Sequence, residues 1–108
     1  MSTDTGDDDR QPTRAEIESM VGPVLLEFGA SWCGHSLALA PRLARLLDDH
    51  PEVHHVKIED GPGKRLGRSF GVKLWPTLVF LRDGVVLKQV ARPTLGEVQE
   101  WLEAVDGA

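Results

Sequence analysis

Five residues, Val24-Leu25-Leu26-Glu27-Phe28, set the architecture open to this chain of 108 residues. Four of the five are apolar, and turn-forming residues bound them: Gly22-Pro23 before, Gly29-Ala30-Ser31 after. A strand with one wet face alternates polar and apolar residues. A short, nearly continuous apolar run instead suits a central strand buried on both faces.

The flanking elements fit such a strand. Thr13 can cap a short helix over residues 15–20, with Glu16 at the capping-box spacing. After Ser31, Leu39, Leu43, Leu46 and Leu47 keep one face of a long helix apolar, and Pro41 inside it predicts a kink. Residues 53–58 read as a second strand, 59–63 as a turn, and 64–70 as a short helix closed by Gly71. Residues 77–81 and 85–90, joined through Arg82-Asp83-Gly84, form the strongest hairpin signal in the chain. Thr94 and Glu97 repeat the capping spacing before a final helix that buries Val98, Trp101, Leu102 and Val105. The order α-β-α-β-α-β-β-α implies an α/β fold with a mixed central sheet of about four strands and flanking helices. Crossover helices should join parallel strands, with an antiparallel hairpin at one edge.

Charge and composition exclude several functions. The chain holds 17 acids and 12 bases, a net charge of −5 that argues against nucleic acid or an anionic membrane as the main partner. No apolar run approaches the roughly 20 residues that span a bilayer. Residues 1–12 form an acidic tail (Asp4, Asp7, Asp8 and Asp9 against Arg10) with no Val, Ile, Leu or aromatic residue, so disorder is expected there and a single domain over 13–108. The first ten residues also lack the apolar segment of a secretory signal. One cysteine excludes an internal disulfide framework and a four-cysteine zinc site. These features fit a cytosolic protein.

The chemistry concentrates at Trp32-Cys33-Gly34-His35-Ser36, where the buried strand gives way to a helix. A cysteine there meets unpaired backbone N–H groups and the positive end of the helix dipole. Both favour thiolate, so its pKa is expected below the free value of about 8.5. Other constellations are poor. His50, His54 and His55 lack metal-site spacing with Cys33, and adjacent His54 and His55 point to opposite strand faces. Gly61-Pro62-Gly63-Lys64 lacks the full phosphate-loop pattern and reads as a turn.

Residues 24–41, running through Trp32-Cys33-Gly34-His35-Ser36 to Pro41, resemble the active-site segment of the thioredoxin superfamily. Within it they are similar to the catalytic domains of protein disulfide isomerase, whose motif is Trp-Cys-Gly-His-Cys. Gly71-Val72-Lys73-Leu74-Trp75-Pro76-Thr77 resembles the family's cis-proline loop, and Arg82-Asp83-Gly84 the hairpin turn after it. The three anchors stand in the family's order across residues 13–106.

The resemblance implies a thioredoxin-like fold and a thiol–disulfide oxidoreductase with no cofactor or metal. It makes Cys33 the attacking thiol and gives His35 the role of stabilising the thiolate. Glu27 matches the buried carboxylate that handles the proton of the second cysteine in dithiol relatives; read as a plain strand residue, it would pair with Lys57. Trp32, Gly34, Trp75, Pro76 and Thr77 match the substrate groove, with a cis bond before Pro76 and a Trp75 backbone that would bond an extended substrate. The implied partners are protein disulfides and a thiol electron donor, met by a monomer.

Two positions depart from the family pattern. Ser36 stands where the family has its resolving cysteine, so the dithiol cycle is broken. Either the natural protein is monothiol or Ser36 is an engineered replacement; the dithiol-like remainder of the motif favours replacement. Gly29 stands where relatives carry Trp or Tyr, and Trp75 is expected to fill some of that space. Two other functions fit the same residues: a non-catalytic peptide-binding module using the groove at Pro76, and a glutathione-linked iron–sulfur carrier. The carrier is suggested by the similarity of Cys-Gly-His-Ser to the Cys-Gly-Phe-Ser of monothiol glutaredoxins. Trp32 and the Trp-Pro-Thr loop do not fit that last family.

Overall fold

The computed structural model describes residues 11–107. Eight elements follow the expected order: α1 (Arg14–Glu18), β1 (Pro23–Gly29), α2 (Gly34–Leu47), β2 (His54–Glu59), α3 (Arg65–Ser69), β3 (Thr77–Arg82), β4 (Val85–Ala91) and α4 (Leu95–Gly107). The sheet order is β2-β1-β3-β4, which places β1 and β3 in the centre. β1 pairs parallel with β2 and antiparallel with β3, and β3 pairs antiparallel with β4. Only the first crossover therefore joins parallel strands; β3 enters against β1 rather than alongside it. Among the described residues no helix is long and apolar enough to cross a membrane.

Burial of β1 on both faces organises the interior. Val24, Leu26 and Phe28 face one cluster with Ile17 of α1, Leu66 of α3 and Val79 and Leu81 of β3. Leu25 faces the opposite cluster with Leu43 of α2, Leu78 and Phe80 of β3, and Val98 and Leu102 of α4. Alternation within a continuous apolar run thus feeds two cores, each capped by a pair of helices.

Local signals end the elements. Thr13 and Glu16 close a full capping box on α1, which stops at Glu18, two residues short of the expected Met20. α2 continues through Pro41 as a single element. Pro41 offers no N–H to the carbonyl of Leu37, and both residues are exposed, so water can meet that carbonyl. Asp83 (φ 51°) and Gly84 (φ 82°) make the two-residue turn between β3 and β4, both left-handed as such hairpins require. That turn is locked to the entry of β1: Gly22 N–H donates to Asp83 Oδ1 at 2.7 Å, and Asp83 N–H donates to Gly22 O at 3.1 Å. A side chain on Gly84 would also run into the carbonyl of Glu18.

Most of the acidic tail expected to be disordered, residues 1–10, lies outside the described residues. Its next residue, Gln11, is held at both ends: its Nε2 donates to Glu59 O at 3.2 Å and its Oε1 accepts from Leu66 N at 3.0 Å.

The two-sided core gives a stability expectation. Leu26→Ala removes a fully buried side chain from β1 and is expected to cost about 2–5 kcal/mol in urea unfolding with an unchanged m-value. Val21→Ser, at a position 86% exposed, is expected to stay within about 0.5 kcal/mol of the parent.

Candidate active site

Cys33 is the N-cap of α2, in extended backbone conformation (φ −89°, ψ 124°) at the point where β1 hands over to the helix. Its own N–H donates to Ala30 O at 3.0 Å, and its carbonyl accepts from Leu37 N at 2.9 Å, so the backbone around it is fixed from both sides. The thiol remains partly open to solvent.

The Cys33 pKa lies below the ordinary thiol range. The first cause is the backbone N–H of Ser36; partial burial opposes it, and the His35 backbone N–H, the Ser36 hydroxyl and the Arg92 guanidinium lower it further. Hydrogen bonds donated towards the sulfur favour its charged form. The N-terminal N–H groups of α2 are doing what unpaired helix donors do for any anion at that place. Position 35 contributes through its backbone N–H.

Ser36 is buried, and its Oγ accepts from Ala30 N at 3.3 Å. It also occupies the space beside Gly29: a Cβ at residue 29 would lie 2.7 Å from Ser36 Oγ. Trp75 was expected to fill that space, but it turns elsewhere. Its indole N–H donates to Asp60 Oδ2 at 2.9 Å, and its ring meets Trp32 edge-on at 5.2 Å between centroids. Trp32 itself is 70% exposed, beside an exposed Gly34.

Glu27 lies on the α2 side of β1 and is only 4% exposed. Its Oε1 sits 2.8 Å from His55 Nε2, so the partner is His55 and not Lys57. Residues 55 and 57 share one face of β2; the half-buried imidazole takes the carboxylate, whereas exposed Lys57 keeps its ammonium in water. Glu27, Ser36, Lys57 and Glu59 nevertheless line one cavity of about 330 Å³ beneath the start of α2.

The Trp75–Pro76 peptide is cis. Pro76 shares a groove of about 460 Å³ with His35, the residue two after Cys33. Thr77, expected to touch substrate, is buried; its hydroxyl donates to Leu74 O at 2.6 Å and holds the loop from within. Among the described residues no group of three or more His, Cys, Asp or Glu side chains could hold a metal ion.

Arg92 is the site residue that sequence reasoning missed. It follows β4 with φ 51°, donates its backbone N–H to Pro76 O at 2.7 Å and its Nε to Trp75 O at 2.9 Å. One residue thereby ties the cis-proline loop to the electrostatics of Cys33. The hairpin register was the available signal: pairing of Thr77 with Ala91 places residue 92 beside Pro76. Asp60 was also read only as part of a turn, and Glu59 likewise, although its carboxylate accepts from Ser31 N at 3.0 Å.

The thioredoxin family model matches residues 9–104. The reduced form of thioredoxin 2 from Pseudomonas aeruginosa PAO1 is 54% identical and superposes with a TM-score of 0.77, covering 89% of this chain and 90% of that one. Thioredoxin-2 of Pyricularia oryzae is 30% identical over 75% of this chain, which spans only 47% of that protein's length. A relative from Oryza sativa subsp. japonica, thioredoxin-like protein CXXS1, is 29% identical over 76% of this chain and 62% of its own.

The causes of the lowered Cys33 pKa predict a pH profile. A lowered pKa populates thiolate at lower pH, so the rate of iodoacetamide alkylation should rise on the acid side of that for free cysteine. Ser36→Ala removes the hydroxyl and keeps the N–H that ranks first, so its profile should move only part of the way back. A parent profile superimposable on free cysteine would remove the helix-start account.

Proposed function

The chain belongs to the thioredoxin family, and from that premise we propose that it is a thiol–disulfide oxidoreductase in which Cys33 attacks and Ser36 makes the site monothiol. One observation carries this reading: an accessible cysteine at the start of α2 whose thiolate is favoured by the N–H groups of Ser36 and His35. Thiolate is the nucleophile in disulfide exchange.

Cys33 Sγ attacks one sulfur of a substrate disulfide. A Cys33–substrate S–S bond forms, the substrate bond breaks, and the second substrate sulfur leaves as thiolate and takes a proton from water. In a dithiol site a second internal thiolate would then attack Cys33. Ser36 Oγ offers no such chemistry, so release awaits an external thiol. That thiol can attack either sulfur of the mixed disulfide, and the lower-pKa thiol leaves faster. Attack on the substrate sulfur therefore prevails: Cys33 departs as thiolate, and the substrate sulfur carries the external thiol until a second equivalent removes it.

The remaining parts take supporting roles. Trp32, Gly34, Trp75 and Pro76 bound the groove in which an extended substrate lies, and the Trp75 carbonyl can share its second lone pair beside Arg92 Nε. Glu27 has no second thiol to serve in this chain and acts as the buried partner of His55. The name of the rice relative spells the Cys-x-x-Ser spacing found here at residues 33–36, which supports a monothiol form rather than replacement of a cysteine. We assign it to the cytoplasm, as a monomer acting on protein disulfides with a thiol donor.

Without added thiol the chain is expected to accumulate reductant-sensitive mixed disulfides with substrate, and with dithiothreitol as donor to reduce insulin poorly. Ser36→Cys should raise turnover by roughly tenfold or more, because an internal thiolate has a high effective concentration, and should remove most adducts. With glutathione as donor, mass spectrometry should find released substrate carrying one glutathione. A folded Ser36→Cys variant without reductase activity would rule out a dithiol ancestry and leave the monothiol and binding readings. Retention of partner affinity and cellular role by Cys33→Ala would favour a binding module instead.

A further inference from the structure

The groove beside Cys33 carries a charge opposite to that of the chain as a whole. Its lining includes Arg42 of α2, Arg92 and His35, together with Leu39, Pro93 and Leu95, and no carboxylate. The whole chain has net charge −5. Acids close to the site are already engaged: Glu59 with Ser31 N and Asp60 with the Trp75 indole, while Glu97, next to the groove's Thr94, accepts from Thr94 N at 2.8 Å.

Arg92 is held for use. Its left-handed φ of 51° is uncommon for a residue with a side chain, and such strain concentrates where the surroundings impose a functional geometry. Both its backbone N–H and its Nε are spent on the cis-proline loop, which fixes the guanidinium over the groove. Its Nη groups make no hydrogen bond among the described residues, and Arg42 has no ion pair there. Two exposed cations thus share one groove with apolar side chains, and among the described residues neither has a carboxylate ion-pair partner.

We propose that this groove selects substrates whose reactive cysteine is flanked by Asp or Glu, with Arg92 and Arg42 as the specificity-determining residues. The proposal rests on Cys33 being the attacking thiol. An extended acidic segment can lay its backbone along the cis-proline loop while its carboxylates meet the two guanidinium groups, the pairing for which arginine's planar fork is suited. Because both cations are exposed, the gain falls on encounter and is screened by salt.

Single-turnover attack on peptides carrying cysteine as a 2-pyridyl disulfide tests this directly. Cys33 Sγ bonds to the peptide sulfur, the peptide–pyridyl S–S bond breaks, and neutral thiopyridone is released and measured by absorbance. Three peptides differ only in flanking residues: Glu, Gln or Lys. At low ionic strength the Glu peptide should react roughly tenfold faster than the Gln peptide, and the Lys peptide slower than either. The Glu/Gln ratio should fall toward one in high salt, in Arg42→Gln, and further in Arg92→Gly, where glycine keeps the left-handed backbone. Taking the ratio cancels any change in thiolate population caused by losing Arg92. A parent ratio of one, or a ratio unchanged in both folded variants, would overturn the acidic-substrate proposal while leaving the oxidoreductase reading intact. Failure of all three peptides to release thiopyridone would overturn that reading and the proposal with it.

Discussion

The first N–H groups of an α-helix have no carbonyl behind them to bond, and at the start of α2 an anion is the natural occupant of that place. Here the side chain in position is a thiol, so the helix start becomes a device for making thiolate. The rest of the fold serves to hold that junction. β1 is pinned between two cores, which fixes where the strand ends; Cys33 N–H to Ala30 O then fixes the turn into the helix. Leu43 anchors the far half of α2 in the core. A loosened β1 would let the first turn of α2 drift, and the donors act only over hydrogen-bond distances.

The legible parts of this protein are those whose causes are local. The run from Val24 to Phe28, the two Thr-x-x-Glu caps and the Asp83-Gly84 turn each specify their geometry within a few residues, and each forms as read. Cys33 was legible for the same reason, since strand-then-helix punctuation alone puts it at a helix start. What failed depended on register and direction across the sheet. The antiparallel entry of β3 decides that Ala91 sits opposite Thr77, and hence that Arg92 reaches the loop before Pro76. The choice of His55 over Lys57 for Glu27 goes with which side chain is half-buried, which neither residue's spacing reveals. Thr77, matched to the groove by resemblance, buries its side chain and donates its hydroxyl to Leu74 O, a contact that spacing does not reveal.

Gly29 and Ser36 are best understood together. A residue with a Cβ at 29 would press on Ser36 Oγ, so the small residue and the small hydroxyl form one packed unit. Ser36 then has two acts to perform from a buried position: it accepts from Ala30 N, and its hydroxyl supports the charge on Cys33. A hydroxyl can do both because it carries one donor and two acceptor lone pairs. The aromatic residues near the motif pack on each other instead: Trp32 and Trp75 meet edge-on and Asp60 holds the Trp75 indole.

Reactivity and selectivity at this site rest on forces of different range, and that separates them. The leading causes of the lowered Cys33 pKa are N–H groups and a hydroxyl at hydrogen-bond range, inside the reach of any counterion. Arg92 comes last among them because its charge is exposed and acts through solvent, where screening sets in over about 8–10 Å at ordinary ionic strength. Salt therefore leaves the thiolate largely in place while weakening what the guanidinium groups contribute to encounter. The same logic runs through substitution. Under the proposed selectivity, changes in Arg42 or Arg92 alter which substrates arrive, whereas changes that move the first turn of α2 alter the thiolate of Cys33. A fold that keeps its nucleophile on a helix start and its charges on the groove rim can thus vary its partners without rebuilding its chemistry.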